Sequence, residues 1–140
     1  MSASVQWRGT ALQAVLFDLD GTLLDTAGDI ALALRRAFAD RGFAAPTEAE
    51  VRRMIGRGAP MLVERATAGR GLALDAAVKA NLVERVFHHY GRLQDEDECA
   101  AQPYPGARDA LQALHAAGLP LAIVTNKQQR FAQGLLKRLD

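Results

Sequence analysis

The sequence predicts an α/β fold: a parallel sheet whose chain path is interrupted by an inserted block of helices. Three observations carry this. Ala14–Phe17 and Leu119–Val124 are short apolar stretches without polar alternation, the signature of parallel strands covered on both faces. A helical pattern between Pro105 and Gly118 leads directly into the second stretch, giving a strand–helix–strand frame with a right-handed crossover. The stretch 25–99 is too long for a simple crossover connection and is helical in pattern throughout.

In chain order, residues 1–12 read as a leader of little structure. Ala14–Phe17 is the first strand. Ile30, Leu34, Ala37 and Phe38 recur at helical spacing, and Gly42 stops that helix. Thr47 followed three residues later by Glu50 is a capping box, so a helix begins there and carries Val51, Met54 and Ile55. Gly56–Pro60 reads as a loop or sharp bend. Met61, Leu62 and Arg65 resume a helix, which the run Ala68–Gly71 breaks. Asp75 is the N-cap of a longer helix whose stripe is Val78, Leu82, Val86 and Tyr90, with Val83 and Phe87 beside it. Residues 94–102 are acidic and poor in large apolar side chains, and read as a linker or hinge.

Pro105 then sits near the first position of a helix with Leu111, Leu114 and Ala117 on its apolar face. Pro120 fits only the beginning or edge of the strand that follows. Phe131, Leu135, Leu136 and Leu139 mark a last helix. The expected division is a partial Rossmann-like core from 1–24 and 100–140, with a helical subdomain over 25–99.

Composition narrows the function. Seventeen basic against sixteen acidic residues leave a formal charge of +1, which gives no reason to expect nucleic acid or an anionic membrane as a partner. The single cysteine, Cys99, excludes an internal disulfide and reads as an ordinary thiol near a loop. No apolar run approaches the ~20 residues needed to span a bilayer, and the start has no core of signal-peptide length. A soluble, cytoplasmic protein is expected. His88 and His89 are adjacent on a helix, where side chains diverge by ~100°, so they do not readily share an ion. They read as surface residues, as does His115.

The chemistry concentrates at the strand ends. In open parallel sheets, ligands sit outside the carboxyl ends of the strands. Asp18 and Asp20 end the first strand; Thr125 and Asn126 end the second. If the strands are neighbours, all four face one crevice. One carboxylate there can act as a nucleophile and the second can move protons. Hard carboxylate oxygens suit Mg²⁺. The Thr125 hydroxyl and main-chain N–H groups can hold phosphate oxygens, and Lys127 adds a positive charge. Taken singly, a D-x-D pair and a T-N dipeptide are weak signals.

Together they are specific. "FDLDGTLLDT", Phe17–Thr26, resembles the first signature of the haloacid dehalogenase-like hydrolases, and "VTNK", Val124–Lys127, resembles the second. The helical block resembles the α-helical cap of that superfamily. "VRRMIGRGAPMLVERA" and "YPGARDALQALHAAGLPLAIVTNK" resemble the phosphoglycolate phosphatases in particular. The resemblance covers residues 13–140. It implies a HAD-like core and a Mg²⁺-dependent phosphatase for a small phosphomonoester, most directly 2-phosphoglycolate. Asp18 would attack phosphorus and form an aspartyl-phosphate. Asp20 would protonate the leaving alkoxide and then activate water. Both would bind Mg²⁺, Asp18 by its carboxylate and Asp20 by its main-chain carbonyl. Thr125 and Asn126 would hold the phosphoryl group. Gly56, Arg57 and Gly58 would line a cap loop, with Arg57 either a ligand for a substrate carboxylate or a solvated loop arginine.

The pattern also departs from the family. No third-signature lysine and no G-D-x-x-x-D stretch follows "VTNK", and Lys127 is a poor substitute for that lysine. The strand that would flank Ala14–Phe17 on its other side is absent too, which would leave an exposed apolar edge. The expectation is a fragment of a longer protein or a truncated reading frame. The alternatives are a catalytically incomplete remnant, a phosphatase or mutase for a sugar phosphate, and a receiver domain phosphorylated on Asp18. The helical insertion has no place in a receiver domain.

Overall fold

The structure is a computed structural model and describes residues 5–139. Its centre is a parallel pair: β3, Val15–Phe17, beside β6, Leu121–Ile123. The register pairs Val15 with Leu121, Leu16 with Ala122 and Phe17 with Ile123. The Val124 N–H donates to the Phe17 carbonyl at 2.8 Å, so the pairing continues to the residue before Thr125. Asp18 therefore lies level with Val124, and Thr125 follows one residue further along.

Between these strands the chain runs through β4 (Leu24–Asp25), α1 (Ala27–Ala39), α2 (Glu48–Arg52), α3 (Gly58–Gly69), α4 (Ala76–Asp95), β5 (Gln102–Pro103) and α5 (Ala107–Ala116); α6 (Gln129–Leu139) follows β6. The caps of α2 and α4 are those read from the sequence. Thr47 and Glu50 form the reciprocal capping box, and the Asp75 side chain accepts from the Val78 N–H at 2.8 Å.

Two apolar clusters divide the burial. The larger joins α1 to α4 around Phe38, Leu34, Leu82, Val63, Val51 and Leu93, each fully buried. The smaller lies under the strand ends, around Leu19, Leu135, Leu24 and Ala132. Phe131 of α6 belongs to the larger cluster and packs edge-on against Tyr90, ring centroids 5.1 Å apart. Where the chain leaves for the helices and where it returns, β4 pairs antiparallel with β5. The buried Asp29 carboxylate strengthens that joint by accepting the Ala100 and Ala101 N–H groups at 2.8 and 3.0 Å.

Several expectations are corrected. Residues 6–11 are not a structureless leader: β1, Gln6–Trp7, pairs antiparallel with β2, Thr10–Ala11. Residues 1–4 lie outside the described residues. The strand at Ala14–Phe17 begins at Val15 and is not fully buried, because β3 pairs with β6 alone; Leu16 is 66% exposed. The β6 strand is likewise open, with Val124 at 61%. The bend at Gly56–Pro60 is shorter than expected, since α3 starts at Gly58. Pro60 falls in its first turn, where a missing N–H costs nothing. The hinge starts late, because α4 runs to Asp95 with Leu93 anchored in the core. Gly106, not Pro105, caps α5, whose apolar face is only half-covered. No helix among the described residues is long and apolar enough to cross a membrane.

Two stability predictions follow from these contacts. Asp29→Ala strips the acceptor from two main-chain donors, one of them buried, and should cost about 2 kcal/mol in urea unfolding at pH 7. A loss below about 0.5 kcal/mol would show that water replaces the carboxylate. At the start of α2, the Arg70 guanidinium, assisted by Thr47, pulls the Glu50 carboxyl from 4.5 down to about 2. A folded-state value below the unfolded one gives stability that is present above about pH 4.5 and lost as the pH falls toward 2. Glu50→Gln should flatten that arm of the stability–pH curve and leave its neutral-pH slope unchanged.

Candidate active site

The site begins with a turn. Phe17 ends β3 and Asp18 is the first residue past the pairing. The Leu19 carbonyl accepts N–H groups from Thr22, Leu23 and Leu24, and the Gly21 N–H donates to Leu24. This knot fixes Asp18–Leu24, while the fully buried Leu19 side chain pins it to the core. Gly21 takes φ +77°, a conformation that side chains other than glycine's rarely adopt.

The two aspartates have different surroundings. Asp18 is exposed, and its Oδ1 accepts the Leu19 N–H at 2.8 Å, which orients the carboxylate. Asp20 is enclosed and held by three contacts. Thr26, fully buried at the start of α1, donates its hydroxyl to Oδ1 at 2.7 Å. Lys127 Nζ lies 2.9 Å from Oδ1 and 3.2 Å from Oδ2. The ammonium also lies 4.4 Å from the centroid of the Tyr90 ring, a cation–π contact that brings α4 to the strand ends.

On the β6 side, Thr125 Oγ1 accepts the Lys127 N–H at 3.1 Å, which leaves its own O–H free to donate. Asn126 Nδ2 donates to the Gly56 carbonyl at 3.0 Å and so ties the loop before α3 to the loop after β6. Gly58 packs over the same place: a Cβ there would lie 3.6 Å from the Asn126 carbonyl oxygen, and its φ is +80°.

These elements enclose a cleft of about 640 Å³, its mouth to solvent included. Asp18, Asp20, Thr125, Asn126 and Lys127 line its base. Gly56 and Gly58 line its rim. The structure thus brings together seven of the eight residues singled out in the sequence. Arg57 is the exception: it caps α3 from an exposed position and is absent from the wall. Tyr90, Gln128 and Phe131 also line it, beside apolar residues of the helices, and sequence reasoning missed them as site residues. Tyr90 had a signal only as one member of a core stripe.

The donor set suits Mg²⁺ in kind. It offers hard carboxylate oxygens, and this ion is held by one or two protein carboxylates together with water and phosphate oxygens. Among the described residues there is no cluster of three or more acidic, histidine or cysteine side chains, so the residues present make a partial set. Cys99 does not line this cleft. It is buried, and burial, with the Asp29 charge, pushes its thiol up to about 11. His89 is engaged on the other side of α4, with Nε2 2.7 Å from an Asp40 oxygen.

Comparison with known proteins agrees with this geometry. The family model of the haloacid dehalogenase-like hydrolases matches residues 12–140. The phosphoglycolate phosphatase of Agrobacterium fabrum is 40% identical over 124 residues, which is 89% of this chain and 52% of the relative. That of Yersinia pseudotuberculosis is 39% identical over 129 residues, 92% of this chain and 54% of the relative. The crystal structure of a predicted phosphoglycolate phosphatase from Haemophilus somnus superposes with a TM-score of 0.77 at 30% identity, covering 91% of this chain and 57% of that one. The chain thus spans about half the length of the curated relatives it matches. With the paired strands, the two aspartates at their ends and the family match over nearly all its residues, the chain belongs to the haloacid dehalogenase-like hydrolases.

Proposed function

We propose that this chain carries the nucleophile side of a Mg²⁺-dependent phosphatase site for a small phosphomonoester, 2-phosphoglycolate most directly. One observation carries the reading. The exposed Asp18 carboxylate, just past the end of β3, and Thr125, just past the end of the neighbouring β6, line the same cleft walled by helices. The names of the relatives support the substrate.

In this reading the phosphoryl group sits between Asp18 and the 125–126 loop. The free Thr125 O–H and the Asn126 N–H donate to its oxygens. Asp18 attacks phosphorus in line as the bond to the leaving oxygen breaks, which gives an aspartyl-phosphate and an alkoxide. Asp20, protonated at this stage, gives the alkoxide its proton and becomes the carboxylate that Thr26 and Lys127 hold. It then takes one from the water that attacks the aspartyl-phosphate, so phosphate leaves and Asp18 is restored. Thr26 and Lys127 hold the Asp20 carboxylate in the orientation both transfers need. The Asp18 carboxylate and the Asp20 main chain would hold Mg²⁺, which when bound would offset charge on the phosphoryl oxygens. Residues 25–99 act as a cap, and the Asn126–Gly56 hydrogen bond is a latch that closes its loop over the cleft. Closure of this kind excludes bulk water.

Phosphate monoesters are among the slowest reactions to proceed unaided, and full acceleration can approach ~10²¹-fold. Proton transfer supplies typically 10²–10⁴ of that, so fixed charge must supply much of the rest. The family's signature lysine and remaining acids are not among these 140 residues. The test is therefore made twice: on this chain alone, and on this chain extended by the C-terminal half of the Agrobacterium fabrum relative. The extended protein should release phosphate from 2-phosphoglycolate only with Mg²⁺, and Asp18→Asn should lower the rate by about 10³-fold or more. The chain alone should release none. Release that survives Asp18→Asn would overturn the reading. Tight phosphate binding with no release by a folded, extended protein would favour a binding module instead.

A further inference from the structure

The cleft has two unlike sides. At the strand ends it carries Asp18, Asp20, Thr125 and Lys127. The helical block opposite contributes apolar side chains: Ile30 from α1, Ile55 from the turn before α3, Leu62 from α3, and Val86 and Phe87 from α4. Ile30, Ile55 and Phe87 line the cleft and are only half-buried, so each keeps apolar surface that a ligand can cover. Covering such surface is favourable in proportion to the area removed from water.

Ile55 stands closest to the chemistry in chain and in space. A Cβ placed on Gly21 would lie 3.5 Å from Ile55 Cδ1, an ordinary van der Waals contact, so this side chain rests on the turn that carries Asp18 and Asp20. The next residue, Gly56, has its carbonyl held by Asn126 Nδ2 at 3.0 Å, which fixes the backbone beside it. The first atoms beyond a phosphoryl group held at the strand ends therefore meet the Ile55 side chain.

Free positive charge is missing from the same wall. Among the described residues that line the cleft, Lys127 is the one cation. Its Nζ lies 2.9 and 3.2 Å from the Asp20 oxygens and 4.4 Å from the Tyr90 ring centroid, and its side chain is 7% exposed. Arg57 is outside the lining, and Gln128, which lines it, is neutral. A carboxylate drawn against the helical side would lose its water and gain no cation. An apolar group would lose nothing there.

We propose that Ile55, with Ile30 and Phe87, forms an apolar subsite for the organic half of the substrate, so that this chain takes phosphomonoesters with an aromatic or branched aliphatic organic half more tightly than 2-phosphoglycolate. This rests on the phosphomonoester reading above and goes beyond the relatives' names in what it says of the organic half. 2-Phosphoglycolate still enters by its phosphoryl end, with its carboxylate kept in water at the mouth of the cleft. Ile55 is the specificity residue, because it joins the aspartate turn to the apolar wall.

The test is calorimetric binding to the 140-residue chain with Mg²⁺, using inorganic phosphate, phenyl phosphate and 2-phosphoglycolate as probes. Wild type should bind phenyl phosphate about tenfold more tightly than 2-phosphoglycolate. Ile55→Ala should lower that ratio about threefold, and Ile55→Arg, which supplies the missing cation at the same place, should bring it to about one or below. Each variant is read as a ratio of two affinities, so a general weakening of the site cancels. A wild-type ratio of one or less, with inorganic phosphate still bound, would overturn the proposal and leave the phosphomonoester reading intact. A wild-type ratio retained in both Ile55 variants would overturn it too, since the organic half would then lie elsewhere. Failure of all three probes to bind would overturn the proposal together with the reading it rests on.

Discussion

The ion pair between Lys127 and Asp20 is the contact on which the site depends. Its side chains are 7% and 13% exposed, so water screens it little. It joins the loop after β6 to the turn after β3, two segments more than a hundred residues apart in sequence. Thr26 grips the same carboxylate from the first turn of the helical block, and Tyr90 lies under the same ammonium from α4. The four residues thus connect both strand ends to both sides of the block. Without the pair, Asp20 would keep Thr26 alone, and the 125–127 loop would lose its anchor on the aspartate turn.

A second constraint acts at the joint. The Asp29 carboxylate clasps the returning chain at Ala100 and Ala101, and β4–β5 ties the outgoing and returning strands together. The helical block is therefore hung from the sheet at one end and latched at the other by Asn126 on Gly56. One hydrogen bond between a side chain and a loop is a far weaker tie than a strand pair with a buried carboxylate.

Much of this was legible in the sequence, and for identifiable reasons. The aspartates, Thr125 and Asn126 were readable because strand ends in a parallel sheet define a ligand edge, and the register of β3 on β6 places them as that rule requires. Thr47–Glu50 and Asp75 were readable because caps are local chemistry. The partner of Lys127 was not, since a charge pair across such a separation leaves no periodic trace. Tyr90 was hidden by its own pattern: a stripe residue and a cleft-lining residue have the same spacing. Arg57 stayed open between a ligand and a solvated arginine because a cation in a glycine-rich loop reads as either; it stands at the exposed N-cap of α3, outside the cleft lining. The strands proved less buried than their composition implied. Apolar runs such as Val15–Phe17 record the cover a strand is suited to, and in these 140 residues β3 pairs on one side only, leaving Leu16 exposed.

The central claim is that Asp18 is a phosphoryl acceptor at the strand end beside Thr125. Beryllium fluoride with Mg²⁺ tests it directly, because the trifluoride binds a carboxylate oxygen as a tetrahedral mimic of the aspartyl-phosphate. Fluorine NMR of the folded chain should show a bound trifluoride signal that disappears in Asp18→Asn and survives in Arg57→Ala. A bound signal that persists in Asp18→Asn, or no bound signal from wild type under the same conditions, would contradict the account.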